Sequence, residues 1–119
     1  MKVILPYPPT TNTAYAVRRN RLVKTTKARE YDYNVLAVLA GDKASRAFRS
    51  SLRGPERFTV SILVYPPDRR RRDLSNTEKL AVDSVFTFLG ADDSAIDHLC
   101  LSRGEVVKDG RLEVTVDVL

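Results

Sequence analysis

The sequence predicts an α+β fold, with a small mixed sheet and two main helices in a single domain. Two patterns support this prediction. Apolar residues recur at helical spacing in two segments, while other short segments are rich in β-forming residues and end at proline or glycine. The chain has 119 residues, of which 43% are hydrophobic, which suffices for one modest core. We therefore expect residues 1–119 to form one domain.

The first half of the chain predicts a strand, a basic hairpin or loop, and a long helix. Lys2 to Leu5 forms a short strand that ends at a proline-rich segment, because proline cannot donate to a strand ladder. Tyr15 to Lys24 carries apolar residues around three arginines, which indicates a basic hairpin or loop. Apolar residues at helical spacing predict a helix from Thr26 to Phe48, ended or interrupted at Gly41-Asp42.

The second half predicts a central strand, a second helix and two further strands. Phe58 to Tyr65 is largely apolar and β-rich, so we expect it at the centre of the sheet. Ser75 and Glu78 have the spacing of a capping box, which predicts a helix from Ser75 to about Leu89 with Gly90 as its stop. The last two strands are Ile96 to Arg103 and Leu112 to Val118, with a turn signal at residues 108–110.

Composition limits the classes of function. The formal net charge is +5 and the sequence pI about 9.6, which favours a nucleic-acid partner, although other basic proteins share this balance. Cys100 has no second cysteine for a disulfide, so we expect a reducing compartment and a small core residue. A structural role is also favoured for His98. No apolar stretch reaches membrane-span length, and Pro6 comes too early for a signal peptide, so we expect a cytoplasmic protein without membrane contact.

The most informative segment links the central strand to the second helix. It reads Asp68-Arg69-Arg70-Arg71-Arg72-Asp73, and a second acidic pair follows at Asp92-Asp93. Four consecutive arginines attract an anionic partner, whereas the carboxylates repel phosphate unless a divalent metal ion lies between them. A basic surface beside an acidic pocket is the charge arrangement of a nuclease.

Phosphodiester hydrolysis explains why these residue types would occur together. It needs a nucleophilic water and stabilised phosphate charge, which one or two Mg²⁺ ions held by carboxylates can supply. Asp73 precedes the second helix and Asp92-Asp93 follow it, so they meet only if the loops fold back to one rim. Lys79, one turn into that helix, can project to the same rim and contact a phosphate oxygen.

Each candidate also has a structural interpretation. Asp73 can simply pair with the arginines, and Asp92-Asp93 can be a solvated turn, so spacing alone leaves metal site and solvated charge equally open. A flexible charged loop is the common alternative for a run of arginines. For Asp83, an ion pair with Lys79 four residues earlier is favoured over a metal role.

The pattern of these residues closely resembles a known family, the RusA Holliday-junction resolvases. The main motif runs from Pro67 to Asp83 and contains Asp73-Leu74-x-Asn76-x-x-Lys79, followed by Asp92-Asp93-Ser94. The proline-rich segment from Leu5 to Asn12 and the tail from Gly110 to Thr115 are similar to the family as well. The resemblance therefore spans nearly the whole chain. It implies a small α+β homodimer, of bacterial or phage origin, that nicks four-way DNA junctions with Mg²⁺ or Mn²⁺ in recombination and repair.

The charge pattern and the resemblance together give candidate roles for individual residues, and the resemblance implies those of Asp73, Lys79 and Asp93. The catalytic residues would be Asp73, Lys79 and Asp93. The candidate metal ligands are Asp73, Asp93, Asp92 and Ser75. The candidate DNA-binding residues, all arginines, are Arg18, Arg19, Arg21, Arg69, Arg70, Arg71 and Arg72.

One position departs from the family pattern. The family commonly has a second catalytic aspartate where this chain has Ser75. Serine is a weak, neutral metal ligand, so three hypotheses stay open: a natural variant site that works with Asp73, Asp93 and Asp92 or Glu78, a weakly active nuclease, or an engineered inactive form. The first is slightly favoured, because Ser75 and Glu78 together form a coherent capping box.

Two classes of function therefore compete. The first is a metal-dependent endonuclease that resolves four-way DNA junctions by paired symmetric nicks. The alternative is a non-catalytic or weakly active protein that binds branched DNA, because Ser75 replaces the family aspartate. A basic structural protein is a third hypothesis, which predicts no preference for a junction over a linear duplex.

Overall fold

The computed structural model describes residues 1–119, apart from the side chains of residues 11 and 12; the side chain of Asn12, in the proline-rich segment, thus lies outside the described residues. The elements, in chain order, are β1 (Lys2–Leu5), α1 (Thr11–Ala14), β2 (Tyr15–Arg18), β3 (Arg21–Lys24), α2 (Thr26–Gly41), α3 (Lys43–Ser51), β4 (Phe58–Tyr65), α4 (Lys79–Leu89), β5 (Ile96–Arg103) and β6 (Arg111–Val118). Short 3-10 turns lie at Leu74–Asn76 and Asp93–Ala95. The predicted α+β class is confirmed.

The main sheet has four strands in the order β1-β6-β4-β5. β4 pairs in parallel with β5 and antiparallel with β6, and β6 pairs antiparallel with β1, so the sheet is mixed. The predicted internal position of β4 is confirmed, and alternate β4 residues from Phe58 to Val64 are buried. The turn at residues 108–110 is present, but β4 lies between β5 and β6, so these two strands do not form a hairpin.

Helices α2 and α4 supply the layer that covers one face of this sheet. The predicted inward positions Tyr31, Val35 and Leu39 of α2 are buried, whereas Val38 is exposed. Most residues of α4 are buried; the helix packs along α2, and its Phe86 meets Phe58 of β4 edge to face, with ring centroids 5.2 Å apart. Along the described chain, no helix combines the length and the apolar character needed to cross a membrane.

The predicted interruption at Gly41-Asp42 is confirmed: the segment predicted as a helix from Thr26 to Phe48 forms two helices, so there are three main helices and not the expected two. Asp42 lies between them in an extended conformation, and its backbone N–H still bonds to the carbonyl of Leu39. The Asp42 carboxylate accepts hydrogen bonds from the backbone N–H of Ser45 at 3.1 Å and from its hydroxyl at 2.6 Å. The side chain thereby caps α3, which explains why the chain restarts a helix in a new direction.

The predicted capping box at Ser75 and Glu78 is wrong. Ser75 lies in the 3-10 turn at Leu74–Asn76, and α4 begins only at Lys79, after Glu78, whose side chain makes no capping hydrogen bond. The Thr77 hydroxyl instead donates to the carbonyl of Leu74 at 2.6 Å, which holds the turn. The stop at Gly90 is confirmed, since this residue is left-handed at φ 70°.

The prediction that Cys100 is a core residue is also wrong. Cys100 is exposed, as is His98 two residues earlier on β5. β5 is an edge strand, and its pairing places Cys100 beside the exposed Ser61 of β4. Cys100 and His98 therefore lie on the face of the sheet that the helices do not cover.

Candidate active site

Asp93 lies close to two other aspartates, one within α4 and one beside it in the chain. Asp83 lies in α4, and Asp92 and Asp93 follow the helix; we call these three residues the acidic cluster. A hydrogen bond with the Asp83 carboxyl raises the pKa of Asp93, and burial and Asp92 raise it further. Asp92 caps the second 3-10 turn by accepting from the backbone N–H of Ser94 at 2.9 Å, which lowers the pKa of Asp92. Two carboxyl groups this close favour a shared proton or a bound cation.

Lys79 completes one side of this site. Its Nζ lies 3.3 Å and 3.4 Å from the two carboxylate oxygens of Asp83, so the predicted ion pair is confirmed. A cavity of about 290 Å³ is lined by Lys79, Asp83 and Asp93 together with Glu78 and three apolar residues, Val82, Ile96 and Leu99. Partial burial raises the pKa of Glu78. Two of the predicted catalytic residues, Lys79 and Asp93, therefore line one cavity.

The third predicted catalytic residue, Asp73, lines a different cavity. That cavity has a volume of about 480 Å³ and lies between the proline-rich segment and the arginine run; it is lined by Tyr7, Pro8, Thr10, Arg71, Arg72, Asp73, Asn76 and Thr77. Asp73 is the only carboxylate among its described lining residues. Of the side chains that the structure describes, no three His, Cys, Asp or Glu residues lie close enough to hold a metal ion. The metal ligands named from the sequence thus stay a prediction.

The four arginines of the run point in different directions. Arg69, Arg70 and Arg71 are exposed, whereas Arg72 is half-buried. The Arg72 guanidinium donates to both carboxylate oxygens of Asp68, at 2.6 Å and 3.1 Å, and lies 6.0 Å from the ring centroid of Tyr7. Arg72 thus has a bidentate internal partner, and the outward charge of the run comes from the other three arginines.

Asp68 organises the start of this loop. Its carboxylate accepts the backbone N–H of Arg70 at 2.9 Å as well as the Arg72 guanidinium, and these bonds lower its pKa to about 2. The carbonyl of Arg72 in turn accepts from Arg103 of β5 at 2.7 Å. Because the pKa of Asp68 is depressed, its contribution is complete above about pH 4 and disappears as the pH falls towards 2.

Asp68→Asn is therefore expected to loosen the loop without unfolding the domain. Asparagine keeps one acceptor oxygen but loses the charge and the bidentate geometry that hold Arg72. Limited trypsin digestion measures this directly, since the loop contains four cleavage sites, and the variant should be cut there severalfold faster than the parent. Asp109→Asn, in the exposed turn before β6, is the matched control. Equal digestion rates for all three proteins would contradict the role of Asp68.

The predicted basic hairpin is confirmed and lies beside the acidic cluster. β2 and β3 pair over four residues, with Arg18, Arg19 and Arg21 exposed at the tip. At its base, Lys24 Nζ lies 2.7 Å from a carboxylate oxygen of Asp32. Lys24 also lines a cavity of about 320 Å³ with the acidic cluster. The base of the hairpin is thus fixed close to the candidate active site.

Sequence reasoning missed three contacts here. The Asp83–Asp93 contact depends on the 3-10 turn after α4, and no spacing rule predicts it across ten residues. Asp32 on α2 accepts hydrogen bonds from Lys24 of β3 and from the Ser84 hydroxyl of α4, and so joins β3 and α2 to a helix about fifty residues further along the chain. The one sequence signal for Asp32 is that it is an acidic residue next to the buried positions of a helix.

Comparison with known proteins identifies the family. The family model of endodeoxyribonuclease RusA matches residues 6–117. The chain belongs to the RusA family. The resemblance inferred from the arginine run, Lys79 and Asp92-Asp93 is therefore confirmed.

Curated members of the RusA family align over nearly the whole chain. The chain is 31% identical to the crossover junction endodeoxyribonuclease of Enterobacteria phage HK97 over 117 residues, which is 98% of this chain and 92% of the phage protein. It is 30% identical over 116 residues to the enzymes of the same name from Enterobacteria phage 82 and from Escherichia coli K12, which is 96% of this chain and 91% of each relative. The acidic cluster and the arginine run thus occur in a chain with relatives in both phages and bacteria.

Proposed function

We propose that this chain is a divalent-metal-dependent endonuclease that resolves four-way DNA junctions by paired symmetric nicks, in recombination and repair. The relatives named above are crossover junction endodeoxyribonucleases. The observation that carries the proposal is the cavity shared by Lys79, Asp83 and Asp93 beside an exposed basic hairpin. This arrangement combines an acidic site for phosphate chemistry with a basic surface that attracts the DNA backbone.

Carboxylate oxygens suit a hard divalent cation such as Mg²⁺ or Mn²⁺, and the contact of Asp83 with Asp93 supplies two carboxylates of a ligand set. The contact between Asp83 and Asp93 raises the pKa of Asp93, and a cation between two carboxylates relieves that repulsion. We propose Asp83 and Asp93 as ligands; Asp92 and, from the sequence motif, Asp73 and Ser75 are further candidates that would have to approach this pair, because Asp73 lines a separate cavity. When bound, the ion would lower the pKa of a water molecule and neutralise charge on the phosphate.

The remaining residues bind and orient DNA. The Lys79 ammonium, held by Asp83, is available to a phosphate oxygen on which negative charge develops. The exposed arginines Arg69, Arg70 and Arg71 and the hairpin arginines Arg18, Arg19 and Arg21 would bind phosphates on either side of the site. Arg72 acts through the loop that it holds, as a positioning residue and not as a direct phosphate ligand.

The test is a cleavage assay on a labelled four-way junction with Mg²⁺ or Mn²⁺. We expect two symmetric nicks on opposed strands, and a homodimer that presents one site to each strand. A specific observation favours one alternative, a non-catalytic branched-DNA-binding protein: Ser75 replaces the family aspartate, and Asp73 is the only carboxylate among the described residues of its cavity. Junction binding without nicking in either metal would support that alternative.

Arg70→Ala combined with Arg71→Ala should weaken junction binding and flatten its salt dependence. Each phosphate contact contributes about 0.9 to the slope of log K against log salt, so the slope should fall by about two. Binding titrations between low and physiological salt measure it. The charge-matched control is Lys43→Ala with Arg53→Ala, two exposed residues at and beyond α3. An equal change in both variants would mean that net charge, and not this loop, governs binding.

A further inference from the structure

The tip of the β2–β3 hairpin carries an exposed apolar pair that the proposed cleavage chemistry does not use. Val17 is 73% exposed and Leu22 is 70% exposed, and the two are direct cross-strand partners. A cross-strand apolar pair stabilises a hairpin, but large apolar side chains such as valine and leucine are more often buried than exposed. Here it stands in solvent, two residues from the turn.

The hairpin is a rigid projection. Arg19 and Asn20 form its two-residue turn with φ of 51° and 61°, the left-handed conformation of a tight type I′ turn. At the base, the Thr25 hydroxyl donates to the carbonyl of Thr13 at 2.7 Å, and the Thr25 N–H donates to that of Ala14 at 2.9 Å. Lys24 adds its ion pair with Asp32. Val17 and Leu22 therefore lie on a short hairpin whose base is held in place by hydrogen bonds and an ion pair.

The apolar face of the hairpin points along the candidate active site. Side chains alternate across a strand, so Val17 and Leu22 share a face with their neighbours Tyr15 and Lys24. Lys24 lines a cavity with the acidic cluster, and the Tyr15 pKa is raised by burial and by the negative charge of Asp83. At about 3.4 Å per residue, Val17 extends roughly 7 Å beyond Tyr15.

The charges around this pair select the partner. Arg18 and Arg21 are cross-strand neighbours on the opposite face, and Arg19 forms the turn. Three guanidinium groups around two apolar side chains match a polyanion with an apolar interior, which is the character of DNA: phosphates outside and stacked bases inside. Proteins that bend or open DNA insert apolar side chains between base steps while arginines bind the adjacent phosphates.

From these observations we propose that Val17 and Leu22 form a wedge that inserts between bases at the branch point of the DNA. The inference rests on the proposed function and adds how the branched substrate is recognised. Insertion costs least where base pairing or stacking is interrupted, and the branch point is where the continuity of the duplex arms is interrupted. Insertion by this face would bring the backbone beside the branch point towards the acidic cluster.

The test uses a four-way junction with the fluorescent base 2-aminopurine at the branch point, because its emission rises when the base loses stacking. The variant is Val17→Thr with Leu22→Thr, which removes apolar surface but keeps a strong preference for strands. We expect the parent to raise the emission severalfold, and the variant to leave it unchanged and to cleave the junction at least tenfold more slowly. Both proteins should bind a linear duplex equally, because the arginines remain.

Matched controls separate the wedge from other roles of this surface. Ile4→Thr changes an apolar residue of β1 that is 56% exposed, and it should behave as the parent. Val17→Ile with Leu22→Ile keeps the apolar surface and should retain both the emission and the rate. If the threonine variant unstacks the base and cleaves like the parent, the wedge is refuted. If it instead loses its dimeric mass, the pair is a contact between protomers, which also overturns the wedge.

The outcomes also distinguish the wedge from the proposed function. A parent protein that cleaves no junction in Mg²⁺ or Mn²⁺ contradicts the nuclease proposal. The emission of 2-aminopurine still decides the wedge in that case, because it requires binding alone.

Discussion

Asp93→Asn is expected to abolish junction cleavage while junction binding stays equal or becomes tighter. The Asp93 carboxyl contacts Asp83 and lines the cavity that holds Lys79, so it lies where a metal ion and a phosphate would meet. Asparagine keeps the shape of the side chain but removes the charge that binds the cation and repels phosphate. The rate should fall at least about a hundredfold, equivalent to about 2.7 kcal/mol of barrier. Single-turnover cleavage and a binding titration in Ca²⁺ measure the two effects separately.

Asp97→Asn is the matched control for this substitution. Asp97 is four residues further along the chain and accepts hydrogen bonds from Arg57, outside the cavities that contain Asp93. The control should cleave at the parent rate, and an Asp93→Asn variant that also did so would refute the assignment of Asp93. Asp73→Asn, tested alongside, shows whether Asp73 belongs to the same site although it lines a separate cavity. If the two aspartates share a metal ion, each substitution alone should abolish cleavage.

Local sequence signals predicted the elements of the fold well. The alternation in β4, the helical face of Tyr31, Val35 and Leu39, and the stop at Gly90 each depend on a few neighbouring residues. The order of the strands in the sheet, in contrast, does not depend on neighbouring residues. Parallel pairing of β4 with β5 leaves β5 at the edge, and that long-range choice exposes Cys100. An apolar strand looks the same in sequence whether it is covered on one side or on both.

The candidate site was predictable in composition but not in arrangement. The sequence named Lys79 and Asp93, which line one cavity, from their charge and from the resemblance to the RusA family. It gave no means of seeing that Asp83 contacts Asp93 or that Arg72 faces inward to Asp68, since both depend on how the loops turn. The four consecutive arginines look alike in the sequence. Only the contact with Asp68 in the structure distinguishes Arg72 from the exposed arginines.

The structure changes the argument about Ser75. The hypothesis that this chain is adapted to serine depended on a capping box with Glu78, and α4 begins at Lys79 without a side-chain cap. Ser75 is instead exposed in the 3-10 turn that follows Asp73. Ser75 therefore does not cap α4, and replacing it with aspartate would remove no stabilising contact from the start of this helix.

Ser75→Asp is expected to raise junction cleavage tenfold or more, with the largest gain at low Mg²⁺. Asp73 is the only carboxylate among the described residues of its cavity, and Ser75→Asp would add the carboxylate that the RusA family commonly has two residues further on, which would strengthen cation binding. A tenfold gain corresponds to about 1.4 kcal/mol of barrier. The thermal midpoint should stay within a few degrees, because Ser75 is exposed. Ser75→Asn, equal in size but neutral, is the control and should leave the rate unchanged. An unchanged or lower rate for Ser75→Asp would mean that Asp83, Asp92 and Asp93 already satisfy the metal, so that the serine site is a fully working variant.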